Sequence, residues 1–360
     1  MDILNKIKDP KITKNILDKL NKEEIEPITI MEVCGSHTMS IMKSGLKSLL
    51  PKNIRLISGP GCPVCVTPQG YIDTAIELCR NSNVIITTFG DLIRVPGTNS
   101  TLQREKALGY DIRVVYSPLD SLKIAKDNED KEVVFLAVGF ETTAPTVALA
   151  IDNAKEKGIE NFSILNSLKT MPEAMKSLIL DSELKVDGFL CPGHVATIIG
   201  SNEFDKIARE YKLPLVVAGF ETTDIVASIY KIIEARNIDE NSAFNMYSRI
   251  VKENGNEKAL NTIAKIFKPC ESVWRGLGTI DNAGLALNKG YESFDILNKI
   301  GMEMKEVEPK KGCMCGDILR GIGEPKDCKL FGQACNPTNP VGACMVSEEG
   351  ACAAYYKYNK

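Results

Sequence analysis

The chain has 360 residues, 44% of them hydrophobic and 25% charged, which is the composition of an ordinary globular protein. Its net charge of −3 argues against a strongly basic nucleic-acid-binding surface, and no apolar run reaches the roughly 18 residues of a membrane span. We therefore expect neither a nucleic-acid nor a membrane partner. The amino-terminal segment lacks the apolar core of a signal peptide, so a cytoplasmic location is expected.

The first 26 residues predict an amphipathic helix, because Ile12, Ile16, Leu17 and Leu20 have the spacing of one helix face. Short β-branched runs then alternate with helical patterns. Such runs, bounded by Gly or Pro, are typical of buried parallel strands, so the alternation predicts doubly wound α/β layers. The predicted strands are Ile28–Val33, Ile54–Ile57, Val84–Thr88, Ile112–Tyr116, Val133–Val138, Phe162–Leu165, Val186–Leu190 and Leu215–Ala218.

Two or three domains are expected, because single hydrophobic cores stop growing at roughly 250–300 residues. The patterns predict an amino-terminal helix and a first α/β domain over residues 1–117, and a second α/β domain over 118–240. Residues 213–240 could instead pack on the first. The strand signal fades after about residue 241, so residues 241–360 are predicted to form a helical, loop-rich domain.

A nine-residue pattern occurs twice, as FLAVGFETT at Phe135–Thr143 and as LVVAGFETT at Leu215–Thr223. Each copy predicts a strand, a turn and the start of a helix, which suggests two related α/β units. The alternative is a turn signature used twice for packing. Glu141 and Glu221 are candidates for acid–base roles, or for capping of the helices that follow them.

Three groups of cysteine and histidine follow predicted strands: CGSHT from Cys34, GPGCPVC from Gly59 and CPGH from Cys191. Ligands of open α/β sheets bind beyond the carboxyl ends of the strands, so we expect these loops to meet in one cleft. His37 and His194, the two histidines of the chain, both lie in these loops. A lone histidine is more often structural, but imidazole also suits proton transfer near pH 7.

Cys62 and Cys65 form a CxxC motif. Thr67 and Pro68 predict the N-cap and first residue of the next helix, whose N-terminus would favour thiolates at this motif. Half of a zinc site and a thioredoxin-like redox pair are the alternatives. Cys79 has the spacing of a helix core position, and Cys270 has no visible partner.

Six cysteines lie within 40 residues of a tail rich in Gly and Pro, and this tail has little apolar periodicity to order it. Cytosolic thiols are kept reduced, so a metal centre is the better interpretation, either zinc or an iron–sulfur cluster. The tail contains no His, which implies a four-cysteine site with two spare thiols that could be a redox pair. The six are Cys313, Cys315, Cys328, Cys335, Cys344 and Cys352.

In order and spacing, these motifs closely resemble those of the HypD family of hydrogenase maturation factors, over essentially the whole chain. The resemblance implies a scaffold that, with the chaperone HypC, assembles the Fe(CN)2CO group of nickel–iron hydrogenases. It implies HypE as cyanide donor, using carbamoyl groups supplied by HypF, and the hydrogenase large subunit as an indirect partner. The implied fold has two Rossmann-like, doubly wound α/β domains and a helical, loop-rich C-terminal domain with a [4Fe–4S] cluster.

Functional residues carry over from the family at matching motif positions. The resemblance implies that iron of the nascent Fe(CN)2CO unit is held near or on Cys34, Cys62 and Cys65. The same cleft would be lined by His37, Glu141, Thr142, Cys191 and His194. The family's cluster spacing, with gaps of 14, 6 and 16 residues, selects Cys313, Cys328, Cys335 and Cys352, with Cys315 competing for the first place.

Two rival interpretations remain at this point. An iron–sulfur thiol–disulfide reductase with an unrelated substrate would share the cluster and the CxxC motif, but it gives no reason for Cys34. A zinc-stabilised interaction protein would explain the tail alone. In the leading interpretation, the cluster and the redox thiols supply electrons to Cys62 and Cys65.

Overall fold

The computed structural model describes residues 10–305, 307–308 and 310–358. Of the helix predicted over the first 26 residues, Pro10–Leu20 is observed, and residues 1–9 lie outside the described residues. In the part of the chain that is described, no helix combines the length and the apolar character needed to cross a lipid bilayer.

The elements are numbered in chain order. The strands are β1 (Ile28–Glu32), β2 (Ile54–Ser58), β3 (Val84–Thr88), β4 (Ile112–Val114), β5 (Glu132–Gly139), β6 (Phe162–Leu168), β7 (Gly188–Pro192), β8 (Leu215–Ala218), β9 (Ala243–Asn245), β10 (Phe267–Trp274) and β11 (Gly278–Leu287). The helices are α1 (Pro10–Leu20), α2 (Gly35–Lys43), α3 (Leu46–Leu49), α4 (Pro63–Val66), α5 (Gln69–Cys79), α6 (Leu102–Ala107), α7 (Pro118–Asp127), α8 (Ala144–Glu156), α9 (Met171–Ile179), α10 (Gly193–Ile199), α11 (Asn202–Tyr211), α12 (Thr222–Asn237), α13 (Glu257–Ile266), α14 (Ile296–Ile300), α15 (Cys315–Arg320) and α16 (Ala351–Tyr358).

All eight predicted strands are present, and together with β9 they form two parallel sheets. The first sheet has the order β2-β1-β7-β8-β9 and the second the order β4-β3-β5-β6. Parallel strands require crossover connections, which here are the helices between them. The predicted α/β class with Rossmann-like sheets is therefore confirmed.

One apolar cluster joins the two sheets. Along β1, Ile30 packs on one face and Met31 on the other, as the two-residue period of a strand dictates. Along β5, Val134 belongs to the same cluster as Met31, whereas Phe135 packs on the outer face of the second sheet. The inner faces of both sheets thus share a core, and that shared burial fixes their carboxyl ends relative to each other.

Strand pairing differs from the grouping expected from the sequence. The predicted limit at residue 117 falls between β4 and β5, which lie in the same sheet. Conversely, β7 and β8 belong to the first sheet, so residues 213–240 contribute a strand and α12 to the first unit. The chain crosses between the sheets after β2 and returns after β6, a non-local pairing that local patterns do not encode. The domain limits stay predictions, since strand pairing alone does not delimit folding units.

The helical character predicted after residue 241 is wrong in part for residues 241–300. This stretch contains β9 and an antiparallel hairpin, β10–β11. The strand signal of β10 is weak because most of its side chains are exposed or half-buried, and because a bulge between Cys270 and Ser272 interrupts the alternation. The hairpin depends on distant contacts, among them the stacking of Trp274 on Phe140, with ring centroids 5.7 Å apart.

A buried lysine anchors this hairpin. Lys169 directly follows β6 and is 1% exposed; its Nζ donates to Ser272 Oγ at 2.8 Å and to the Val273 carbonyl at 2.6 Å. Burial lowers the pKa of Lys169 to about 7, because the charged form loses its hydration. The ammonium and the neutral amine are therefore both accessible to this side chain near neutral pH.

We expect the stability of the protein to rise between about pH 7 and pH 10 through Lys169. In this window the unfolded chain keeps the lysine proton, up to about pH 10.4, while the folded chain has released it. The slope is at most about 1.4 kcal/mol per pH unit. Urea denaturation of the wild type and of Lys169→Met across this pH range measures this slope, as the difference between their free energies of unfolding at each pH. If the free energies of unfolding of the two proteins changed in parallel with pH, the pKa of Lys169 would not be lowered in the folded protein.

Candidate functional site

The loop that begins at Cys34 lies directly against the loop that leads into the CxxC motif. A Cβ at Gly61 would overlap the backbone nitrogen and Cα of Cys34. The Gly35 amide donates to the Gly61 carbonyl at 3.1 Å, and the Gly59 amide donates to the Glu32 carbonyl at 2.8 Å. Only glycine permits this approach, which holds Cys34 beside the CxxC turn.

Cys62 and Cys65 are joined in a disulfide bond, and both are buried. Cys62 is the N-cap of α4, and its Sγ accepts from the Cys65 amide at 3.2 Å. The next helix, α5, has Pro68 as N-cap and begins at Gln69, one residue later than expected. Thr67 instead ends α4, where its hydroxyl donates to the Pro63 carbonyl at 2.8 Å. The α4 turn follows β2 of the first sheet and packs on β5 of the second.

Cys34 is buried beside a carboxyl group. Its amide donates to Glu32 Oε2 at 3.1 Å, and Thr38 Oγ1 donates to Glu32 Oε1 at 2.5 Å. Burial raises the pKa of Glu32 to about 7. Burial, followed by the charge of Glu349, raises the pKa of Cys34 to about 12. Without a bound cation this thiol stays protonated, and a metal ion that coordinates it would displace the proton.

The C-terminal tail reaches the same loop. Ser36 Oγ donates to Glu349 Oε1 at 3.0 Å, and a Cβ at Gly35 would overlap Glu349. The region around Cys34 is therefore built from the first sheet and from the tail together.

The rings of both histidines contact the ring of Phe220, which belongs to the second GFETT copy. The ring centroid of Phe220 lies 4.9 Å from that of His37 and 4.0 Å from that of His194. His37 is fully buried, with Nε2 at 2.9 Å from the Gly219 carbonyl, and its Nδ1 has no partner among the described residues. Burial lowers the pKa of His37 to about 4, so this ring is neutral at pH 7. His194 is exposed.

Glu141 and Thr142 follow β5 and thus lie at the end of the other sheet. Glu141 Oε1 accepts from the Met171 amide at 2.8 Å, whereas its Oε2 is buried without a partner among the described residues. Burial raises the pKa of Glu141 to about 7. Thr142 is exposed, and Cys191 is fully buried in β7. The two sheets thus contribute different site residues, and α4 is the element that connects them.

The tail thiols lie close together. Cys315 Sγ and Cys344 Sγ are 2.7 Å apart, and the Val341 amide donates to Cys335 Sγ at 3.3 Å. Besides burial, four other tail thiols raise the pKa of Cys352: Cys315, Cys313, Cys335 and Cys328. Over the described ranges no three His, Cys, Asp or Glu side chains are arranged as metal ligands. The donor set itself, several buried thiols with no competing histidine, has the chemistry that iron–sulfur clusters require.

The tail has more apolar packing than its sequence predicts. Ile318, Leu319 and residues 343–346 are buried in the cluster shared by the two sheets. The terminal helix α16 packs on α2, which carries His37. Packing on distant elements therefore helps to order the tail, which the sequence did not reveal because the short apolar runs of the tail are spaced irregularly. Ordering by a metal centre stays a prediction.

Several residues of this region were not singled out from the sequence: Glu32, Phe220, Arg275 and Glu349. A carboxylate at the end of an otherwise apolar strand was a usable signal for Glu32, and the repeated GFETT was one for Phe220. The interpretation of Cys79 as a core residue is confirmed, since it is 1% exposed in α5. Cys270 is half-buried, and its thiol lies within the electrostatic reach of Lys169.

Comparison with known proteins gives a consistent result. Residues 11–359 match the HypD family model, described as the hydrogenase formation hypA family. The chain is 43% identical to the hydrogenase maturation factor HypD of Rhodobacter capsulatus, over 99% of this chain and 98% of that protein. It is 43% identical to HypD of Escherichia coli K12, over 93% and 90%, and 45% identical to a putative hydrogenase expression/formation protein of Methanocaldococcus jannaschii, over 98% and 99%.

We expect Gly61→Ala to destabilise the protein by about 1–3 kcal/mol, because the new methyl group meets backbone atoms of Cys34 that cannot turn away. Gly90→Ala is the matched control, since its Cβ would lie 3.8 Å from Val114 Cγ1, an ordinary contact. Chemical denaturation of both variants measures the difference. Equal stabilities would mean that the two loops are not held in close contact.

Proposed function

This chain belongs to the HypD family of hydrogenase maturation factors, and we propose that it is the scaffold on which the Fe(CN)2CO group of nickel–iron hydrogenase is assembled together with HypC. Iron is the cargo of this reaction. The observation that carries the proposal is the contact of Gly61 with Cys34, which keeps three cysteines of two separate motifs at one sheet edge.

Iron(II) that carries cyanide and CO requires soft, electron-donating ligands, and the thiolates of Cys34, Cys62 and Cys65 would supply them. Two of these sulfurs form a disulfide, so reduction of that bond must precede binding of iron by both. Reduction takes two electrons and two protons and leaves two thiols. Binding of the iron cation then stabilises the thiolates and displaces the thiol protons. It thus supplies the driving force for deprotonation of Cys34, which stays protonated in its buried position without a cation.

Proton acceptors are available on both sheets. His37 is neutral at pH 7 and has a free Nδ1 within the described chain, and His194 is exposed next to it across Phe220. Glu141, with a pKa near 7, would exchange a proton at the end of the second sheet. In this proposal these groups receive the protons that the cysteines lose, and HypE provides the cyanide.

The resident cofactor of the proposal is a [4Fe–4S] cluster held by Cys313, Cys328, Cys335 and Cys352. The 2.7 Å contact between Cys315 and Cys344 supports this choice, because it leaves those two thiols as a separate pair. When bound, the cluster supplies single electrons. The Cys315–Cys344 pair can reduce the Cys62–Cys65 disulfide by exchange, in which one S–S bond breaks, another forms and two electrons move.

A second function is favoured by the Cys62–Cys65 disulfide itself. A thiol–disulfide reductase with another protein as substrate would use the same pair and the same tail. Unlike the scaffold, a reductase of this kind does not require Cys34, so the activity of a Cys34 variant distinguishes the two functions.

We expect Cys34→Ala to abolish the infrared bands of iron-bound cyanide and CO in the complex co-purified with HypC, together with hydrogenase maturation in a complementation assay. The cluster spectrum should remain, and the free energy of unfolding should fall by no more than about 1–2 kcal/mol, as for loss of one small side chain. Cys79→Ala is the control. It removes a buried thiol within α5 and should lose some stability but keep maturation.

Normal cyanide bands in Cys34→Ala would overturn the scaffold role of this residue and favour the reductase. Loss of maturation in Cys79→Ala, at comparable stability, would show that the assay reports folding and not the site.

Cys335→Ser should remove iron and acid-labile sulfide from anaerobically purified protein. Because α16 and residues 343–346 are packed independently, loosening should be confined to the loops between about residues 310 and 341. Iron and sulfide analysis with limited proteolysis measures both effects, and Cys270→Ser serves as the control. Retention of a full cluster in Cys335→Ser would refute this ligand assignment.

A further inference from the structure

Arg249, in the loop after β9, forms an ion pair with Asp224 in the first turn of α12. Its Nη1 donates to Asp224 Oδ1 at 3.0 Å, and its Nη2 donates to Asp224 Oδ2 at 2.5 Å. Asp224 is 8% exposed, and its Oδ2 also accepts from the Glu221 amide at 3.3 Å. Two parallel bonds between a planar guanidinium and a planar carboxylate permit one relative orientation. The pair therefore fixes the Asp224 carboxylate against the turn that precedes α12.

This ion pair lies directly against Gly219, the residue that follows β8. A Cβ at Gly219 would come within 2.2 Å of Asp224 Oδ2 and 2.8 Å of Arg249 Nη2. The carboxylate and the guanidinium thus occupy the space in which any other residue would have its side chain. The position of the Gly219 peptide, including its carbonyl oxygen, therefore depends on where the ion pair is held.

Arg249 supports the same turn a second time, through an aromatic contact. Its guanidinium carbon lies 4.4 Å from the centroid of the Tyr247 ring. That ring in turn meets the ring of Phe220 edge-on, with centroids 5.9 Å apart, and Phe220 is the residue on which both histidine rings pack. One arginine therefore acts on two consecutive residues of the second GFETT copy, its glycine and its phenylalanine.

The Gly219 carbonyl decides which ring nitrogen of His37 carries hydrogen. His37 Nε2 lies 2.9 Å from this oxygen. A carbonyl oxygen only accepts, so Nε2 must be the N–H donor, and in the neutral imidazole the lone pair is then on Nδ1. Nδ1 is buried and has no partner among the described residues, so no contact of its own selects between the two tautomers. The selection depends on the position of the Gly219 carbonyl.

We propose that Arg249 is a positioning residue that, through Asp224 and Gly219, keeps His37 in the tautomer with hydrogen on Nε2. The lone pair of Nδ1 is then available to accept a proton from the cysteines, a step that rests on the proposed function. Without the ion pair, the Gly219 turn can move away and the Nε2–H group loses its acceptor. The tautomer with hydrogen on Nδ1 then becomes populated, and in that ring Nδ1 has no lone pair to offer.

The test reads the tautomer directly in the full-length protein, labelled with nitrogen-15 in its histidine rings only. The chain has two histidines, so a His194→Asn variant assigns the signals of His37. In long-range proton–nitrogen NMR spectra, an N–H nitrogen and a lone-pair nitrogen resonate far apart, and wild-type His37 should show hydrogen on Nε2. We expect Arg249→Gln to lower the ratio of the Nε2–H to the Nδ1–H tautomer about tenfold, or about 1.4 kcal/mol, the size of one net hydrogen bond.

Two further variants keep this test independent of a general loss of structure. Asp224→Asn retains the shape of the side chain and removes its charge, so it should lower the tautomer ratio as Arg249→Gln does. Arg249→Lys retains the charge but not the two parallel bonds, so it should recover part of the wild-type ratio.

Arg320→Gln is the matched control. Arg320 ends α15 and binds both carboxylate oxygens of Asp181, at 2.9 and 3.0 Å, so its loss should reduce stability without changing the His37 tautomer. An unchanged tautomer ratio in both Arg249→Gln and Asp224→Asn, or an equal change in Arg320→Gln, would overturn the positioning role of Arg249.

Maturation of hydrogenase in a complementation assay separates this inference from the proposed function. We expect Arg249→Gln to lose maturation together with the wild-type tautomer. Full maturation in spite of an altered tautomer would overturn the use of His37 Nδ1 as a proton acceptor. The scaffold itself is tested independently, by the cyanide bands of Cys34→Ala.

Discussion

The arrangement of this protein depends on one close contact, that of the Gly61 backbone with the backbone of Cys34. The loops after β1 and β2 can pass this near to each other only because one of them has no side chain at the point of contact. The CxxC helix starts two residues later, at Pro63, and packs on β5 of the other sheet. A single backbone approach thus sets the position of Cys34, of the disulfide and of the junction between the two sheets.

Burial also decides the chemistry of the titratable groups inside the protein. Glu32, Glu141, His37 and Lys169 are all nearly inaccessible, and each has a pKa displaced towards its neutral form. In the proposed function, the site would therefore contain little fixed charge before iron binds. An iron cation would therefore find ligands that can become anionic on binding, in an environment where electrostatic attraction is weakly screened.

The tail takes part in this site and in the core of the protein. Its residues 343–346 pack in the apolar cluster shared by both sheets, its Glu349 binds Ser36, and its thiols gather near the turn that carries Arg275. Packing from distant elements explains how a segment without apolar periodicity is ordered.

The sequence by itself determined the local elements of the two sheets and the family of the protein. All eight predicted strands are observed, because buried parallel strands require continuous β-branched runs that local patterns reveal, and the motifs at Cys34, Gly59, Gly139 and Cys191 identified the family. It did not determine which strands share a sheet, the hairpin formed by β10 and β11, or the contacts of Phe220 and Arg275. These depend on pairing between segments far apart in the chain, and on side chains whose partners appear only when both sheets and the tail are packed together.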